Sequence, residues 1–297
     1  MKVFVTGATG FVGSAVVAEL INAGHQVLGL ARSEVAEKAL LSAGAEVHRG
    51  ELEDLESLRQ GALVSDGIIH TGFIHDFNRF EAVCEIDRAA IEAIGNAIIG
   101  SEKPFIVTSG TLIVNQGNVA TEDMLPNYDG QNPRLASEKA VDDLAAKNVR
   151  VSVVRLSPSV HGEGDHHGFI PMLIDIARKK GLSAFIGDGT NQWTAVHRLD
   201  AAVLYKLALE NVIPGARFHG VAEEAITVKS LAEAIGGQLG VPVVSKSKDE
   251  AAEHFGWFEH FVTMNGSASG ALTRERLNWE TKHTTLIQDL AQGIYFK

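Results

Sequence analysis

Three stretches of this 297-residue sequence combine residue types and spacings that can do chemistry. The first is Thr6-Gly7-Ala8-Thr9-Gly10-Phe11-Val12-Gly13, with glycines spaced three and three. It follows a β-branched run, Lys2 to Thr6, and leads into a helical pattern over Ser14 to Ala23. In that setting Gly7 permits a tight turn, Gly10 lets the backbone approach a pyrophosphate, and Gly13 lets helix and strand pack closely. The helix N-terminus then offers free N–H groups and a positive dipole end to phosphates. This reads as a dinucleotide-binding turn, against the alternative of a purely structural one. The second stretch is Asn132-Pro133-Arg134-Leu135-Ala136-Ser137-Glu138-Lys139, where Arg134 and Glu138 stand four apart at the start of a helix. At that spacing they can form a plain helix ion pair. The third is His161-Gly162-Glu163-Gly164-Asp165-His166-His167. Three imidazoles and two carboxylates in seven residues invite a zinc reading. No cysteine lies nearby and the glycines favour a turn, so no metal is expected there.

The elements that must position these groups alternate between short strands and longer helices. Strands are expected at Lys2–Thr6, Gln26–Ala31, Glu46–Arg49, Gly67–Thr71, Phe105–Thr108 and Arg150–Arg155. Helices are expected from Ser33 to Ser42, Glu85 to Ile99, Leu135 to Lys147, Ile170 to Lys180, Asp200 to Glu210 and Val228 to Gly236. This rhythm predicts an α/β fold, a Rossmann-type doubly wound parallel sheet with a small C-terminal α/β lobe. Residues 1–156 form the nucleotide domain, and about 187–222 return to it. Residues of about 157–186 and 223–297 form a substrate-binding lobe.

The second strand ends Leu30-Ala31-Arg32-Ser33, with no acid to hold a ribose 2′-hydroxyl. Arg32 suits the 2′-phosphate of NADP instead. Ser33 caps the next helix. His70 and His75 flank Thr71-Gly72-Phe73, where the ends of parallel strands carry ligands.

Composition narrows the partners. Lys plus Arg number 26 and Asp plus Glu 37, for a net charge of -11, and no basic block is present to bind nucleic acid. The single Cys84 excludes an intrachain disulfide and fits a cytoplasmic setting. No apolar run is long enough for a membrane span, and glycines interrupt the N-terminal apolar run.

These residues resemble the short-chain dehydrogenase/reductase superfamily, in particular its extended and atypical branches and their epimerase/dehydratase-like group. The resemblance covers nearly the whole chain. Thr6 to Gly13 is similar to its glycine motif. Gly50-Glu51-Leu52-Glu53-Asp54 is similar to its segment near the adenine, which implies cofactor roles for Glu51 and Leu52. His70-Thr71-Gly72-Phe73 matches its segment flanking the nicotinamide ribose. Val154 to Gly162, with Pro158, Ser159 and Val160, looks like its segment around the nicotinamide. Trp193 to Asp200 resembles the start of its late helix.

The family's chemistry uses a Tyr-x-x-x-Lys pair and an upstream Ser or Thr. The lysine lowers the phenol pKa, so the phenolate exchanges a proton as hydride moves. Aligning on Ser137 puts Arg134 at the tyrosine position and Glu138 at the lysine position; sliding by one keeps Lys139 but puts Leu135 opposite the tyrosine. Neither register supplies a tyrosine. Counting from the strand puts Gly110 at the serine position, with Ser109 and Thr111 beside it.

The resemblance implies an NADP(H)-dependent oxidoreductase acting on a small carbonyl or alcohol. In that reading Ser109 or Thr111 binds the oxygen, Arg134 orients or polarises the substrate, and His161 or Tyr128 supplies the proton. Tyr205 reads as core. The alternatives are a nucleotide-sugar epimerase or dehydratase, and a non-catalytic NADP-binding sensor. The protein is expected to be a monomer or a homodimer.

Overall fold

The computed structural model describes residues 1–114 and 117–296. Strand β1 (Lys2–Thr6) leads through the glycine turn into α1 (Phe11–Asn22). There follow β2 (Gln26–Ala31), α2 (Glu34–Ser42), β3 (Glu46–Arg49), α3 (Leu55–Leu63), β4 (Gly67–His70), α4 (Phe80–Ala97), β5 (Phe105–Gly110), α5 (Leu135–Ala146) and β6 (Val151–Leu156). The strands expected in this half are present. Helix α4 starts five residues earlier than expected. Asp76 caps a short 3-10 turn over Phe77–Arg79, accepting from the Asn78 amide, and the helix grows from that turn. Helix α3 has no counterpart in the sequence reading. Its sequence LESLRQGAL is polar and holds a glycine. That glycine is a packing necessity, because a Cβ on Gly61 would meet the Phe4 ring at 2.4 Å.

The second half is built from β7 (Ser159–His161), α6 (Phe169–Lys180), β8 (Ser183–Ile186), β9 (Gln192–His197), α7 (Arg198–Glu210), β10 (Arg217–Gly220), β11 (Glu223–Thr227), α8 (Val228–Leu239), β12 (Val243–Lys246), α9 (Lys248–Phe255), α10 (Glu259–Thr263), α11 (Ala271–Leu277) and α12 (Leu286–Ala291). Strand β10 joins the main sheet, and α7 packs along α1. Strand β9 pairs instead with β7 and β11, and β8 with β12.

The main sheet has seven strands in the order β10-β6-β5-β4-β1-β2-β3, and every pairing in it is parallel. It is a Rossmann-type α/β fold. The strand order reverses between β1 and β4, the crevice where ligands bind in open α/β sheets. Alternation along the strands divides two cores. Val3, Val5 and Ile106 face α1 and α7 with Val16, Leu20 and Tyr205, whereas Phe4, Phe105 and Val107 face α3, α4 and α5 with Leu58, Ile91 and Leu144. Burial on both faces explains why these strands read as continuous apolar runs. A third core gathers Trp193, Phe255, Phe258, Leu231 and Leu286 among the C-terminal elements.

Candidate functional site

At the end of β1 the Gly10 amide donates to the Gly7 carbonyl at 2.9 Å and closes the turn. Gly7 has φ +64°, and a Cβ there would meet the Gly72 amide nitrogen at 2.6 Å. A Cβ on Gly13 would lie 2.0 Å from the Gly7 carbonyl oxygen. Turn, helix and the chain after β4 therefore touch backbone to backbone. Thr71 reinforces this by donating its hydroxyl to the Thr6 carbonyl at 2.7 Å. Gly10 caps α1 without any side-chain bond, the first turn holds no acid, and Thr9 and Gly10 are exposed. Phe11 and Val12 begin the helix half-buried. Arg32 is exposed just beyond β2. The Ser33 hydroxyl accepts from the Ala36 amide at 3.2 Å and so caps α2. Glu51 is exposed, and Leu52 is half-buried beside Gly72.

Between β4, β5 and the helices lies a buried polar network centred on Asp87 of α4. Its Oδ1 accepts from His70 Nε2 at 3.1 Å. Its Oδ2 accepts from Arg134 Nη1 at 2.5 Å and from the Ser137 hydroxyl at 2.6 Å. The Thr6 hydroxyl accepts from the Gly72 amide at 3.2 Å and donates to His70 Nδ1 at 2.8 Å, which leaves Nε2–H pointing at Asp87. Burial would push the Asp87 carboxyl up. The Arg134 charge and the bonds from His70 and Ser137 overcome this and hold it at about 2. Arg134 also donates to the Thr108 carbonyl at 3.1 Å, and its guanidinium carbon lies 4.2 Å from the centre of the Phe73 ring. The Thr108 hydroxyl donates to the His70 carbonyl at 2.7 Å and lies 2.7 Å from that of Tyr205. Tyr205 is fully buried in the core, as its apolar pattern implies.

The sequence held one signal for Asp87. It occupies a core position of the apolar stripe Val83, Cys84, Ala90, Ile91 and Ile94, where a charge must find a partner.

The helix ion pair expected between Arg134 and Glu138 does not form. Glu138 points the other way, into the sheet, and both its oxygens accept from Arg155 at 2.7 Å with both side chains fully buried. A bidentate pair sealed in this way holds α5 on β6 and leaves Glu138 no route to a substrate. Tyr128 donates its hydroxyl to Asp142, which also pairs with Arg217, and burial and that carboxylate push its pKa up. His161 is likewise enclosed: its Nδ1 is 2.6 Å from Asp289 on α12, and burial pushes its pKa down. The His161–His167 stretch diverges, with His166 and His167 exposed while Asp165 accepts from the Gly168 amide at 2.9 Å. No group of three metal-binding side chains converges among the described residues.

Ser109 and Thr111 are buried at the end of β5, and neither hydroxyl has a hydrogen-bond partner among the described residues. Ser159 is buried with its hydroxyl likewise unpartnered, between half-buried Pro158 and Val160. The loop after β4 carries a run of rings. Phe73 lies 5.3 Å from His75, and Phe77 stacks on Trp257 at 5.1 Å and meets Phe261 at 6.0 Å. His75 is exposed, whereas His70 is sealed in the network.

The NAD dependent epimerase/dehydratase family model matches residues 3–219. The chain belongs to that family. Within it, the chain is 45% identical over 296 residues to the "Uncharacterized protein C2A9.02" of Schizosaccharomyces pombe, covering 100% of both chains. It is 28% identical over 265 residues to the 2-alkyl-3-oxoalkanoate reductase of Stenotrophomonas maltophilia, covering 83% of this chain and 78% of that one. The fold is similar to that of the dTDP-glucose 4,6-dehydratase DesIV from Streptomyces venezuelae, solved with NAD and TYD bound. The TM-score is 0.77 at 18% identity, over 99% of this chain and 96% of that one. Among the described residues, no helix of this family member is long and apolar enough to cross a membrane.

Two stability outcomes follow from these charges. Asp87→Asn leaves the Arg134 guanidinium without its anion, and unfolding in urea should show a loss of about 3–5 kcal/mol, typical of a broken buried pair; a loss below ~1 kcal/mol would contradict the network. Burial holds His197 and His219 at about 4. The unfolded chain therefore binds protons that the native one refuses. Stability should be complete above pH 6.5 and fall progressively as pH drops toward 4. A flat profile in urea titrations across that window would contradict these assignments.

Proposed function

We propose that this protein is an NADP(H)-dependent oxidoreductase that interconverts a small carbonyl compound and its alcohol by hydride transfer. The observation that carries the proposal is the glycine turn. Gly7 and Gly13 have no room for a Cβ, while one built on Gly10 meets only the Gly7 oxygen, at 3.2 Å. The chain is thus closed beneath the turn and open above it, at an uncapped helix N-terminus. That fits a dinucleotide. Gly7, Thr9, Gly10, Phe11, Val12 and Gly13 would hold its pyrophosphate. Arg32 and Ser33 would face the adenosine ribose, Glu51 and Leu52 the adenine, and Thr71, Gly72, Phe73, Pro158, Ser159 and Val160 the nicotinamide end. The exposed Arg32, with no acid at the end of β2, favours the 2′-phosphate of NADP.

A nicotinamide cofactor held by these residues would supply the hydride chemistry. The buried hydroxyls of Ser109 and Thr111 offer donors to the substrate oxygen. Arg134, fixed by Asp87, Ser137 and the Thr108 carbonyl, polarises that oxygen electrostatically. An arginine cannot titrate near neutrality, so it does not replace the family's tyrosine as a proton carrier. Tyr128 and His161 are committed elsewhere. We assign the proton to His75, an exposed imidazole set between the rings of Phe73 and Phe77. The rings of Phe73, Phe77, Trp257 and Phe261 form an apolar wall between the loop after β4 and the C-terminal elements, which suits the carbon skeleton of the substrate. Both a 2-alkyl-3-oxoalkanoate reductase and UDP-glucose 4-epimerases stand among the relatives; the apolar wall is what favours a carbonyl substrate over a nucleotide sugar.

Calorimetric titration of wild type and Arg32→Ala with NADPH and NADH tests the cofactor assignment. Wild type should prefer NADPH, and the variant should lose about 10- to 100-fold in NADPH affinity, as expected for lost charge-assisted bonds, with NADH unchanged. NADPH binding unaltered by the substitution would refute the role of Arg32.

A further inference from the structure

Arg198 opens α7 with no carboxylate bonded to it among the described residues. Its Nη1 donates to the Glu163 carbonyl at 2.8 Å and its Nη2 to the Ser14 hydroxyl at 3.2 Å, both neutral acceptors. Its Nε is buried with no hydrogen-bond partner among the described residues. The Glu163 side chain acts on it through its field. The guanidinium carbon is 4.8 Å from the centre of the Phe11 ring, on the first turn of α1. A half-buried cation thus stands beside the positive end of a helix, an arrangement that an anion would relieve.

The chain around Arg198 is shaped to keep it there. Gly162 and Gly164 have φ of +129° and +89°, and Cβ atoms on them would crowd Arg198 Cγ and Nη1, each at 3.2 Å. Burial pulls the Arg198 pKa down, which an incoming anion would reverse. Arg198 carries no signal of its own in the sequence, where Trp193 to Asp200 resembles only the start of a helix.

We propose that Arg198 is a further anchor for the dinucleotide, placing a guanidinium on the pyrophosphate held at the N-terminus of α1. This rests on the dinucleotide reading of the glycine turn. It assigns part of the cofactor's affinity to the second half of the chain, through α7 and the loop that covers it.

The test is calorimetric titration of wild type, R198Q and R198K with NADPH, with ADP-ribose, which carries the pyrophosphate, and with adenosine 2′-monophosphate, which lacks it. R198Q should lose about 10- to 100-fold in affinity for NADPH and ADP-ribose and keep its affinity for the monophosphate, with a flatter dependence on salt. R198K keeps the charge but not the planar fork and should fall between the two. ADP-ribose binding within twofold of wild type, or an equal loss for both adenosine probes, would overturn the proposal. If R198Q does not fold, R198K decides: undiminished ADP-ribose affinity overturns it. Wild type that binds neither NADPH nor ADP-ribose would instead overturn the dinucleotide reading itself.

Discussion

A buried carboxylate must be satisfied or the fold pays several kcal/mol, and much of this site is the satisfaction of Asp87. Its two oxygens accept from His70 at the end of β4 and from Arg134 and Ser137 at the start of α5. Through His70 the network reaches Thr6 of β1, and through Arg134 the carbonyl of Thr108 in β5. Three neighbouring strand ends and two helices are thereby fixed around one side chain. The same constraint decides the chemistry. A guanidinium neutralised by Asp87 donates hydrogen bonds with fixed aim and does not exchange protons near neutrality. Under the proposed function, orientation and proton transfer fall to different groups.

The glycine turn obeys a second constraint, that of contact distance. Gly13 against Gly7, and Gly7 against Gly72, bring α1, β1 and the chain after β4 into backbone contact. This closeness aims the first turn of α1 into the crevice between β1 and β4. Helix α7 lies along α1 and brings Arg198 to the same end. The end proposed to hold the nucleotide therefore draws on both halves of the chain, although the glycine motif occupies only eight residues.

Much of this was legible in the sequence. Strands buried on both faces gave unbroken apolar runs, and the turn carried its glycines at spacings with a geometric meaning. The missing tyrosine was equally plain, because it concerns identity rather than position. Pairings were less legible. Arg134 and Glu138 are four apart on a helix, yet Arg134 turns to Asp87 and Glu138 to Arg155, since each buried carboxylate takes the guanidinium that the tertiary fold delivers. Local spacing cannot register a partner 47 residues away. His161 and Tyr128 misled for the same reason: their partners, Asp289 and Asp142, come from helices that the sequence does not place beside them. The strands of the two small sheets are three to six residues long, too short for period-two patterning to stand out.

Under the proposed function, hydride transfer proceeds with an Arg134–Asp87 pair at the site and no tyrosine there. The most direct measurement offers the protein NADPH carrying deuterium on either face of C4, together with a panel of small ketones and aldehydes, and reads the product alcohols by mass spectrometry. The account predicts deuterium on the carbinol carbon from one of the two labelled cofactors, and its loss in Arg134→Ala. Protein saturated with NADPH that yields no labelled alcohol from any substrate would contradict it.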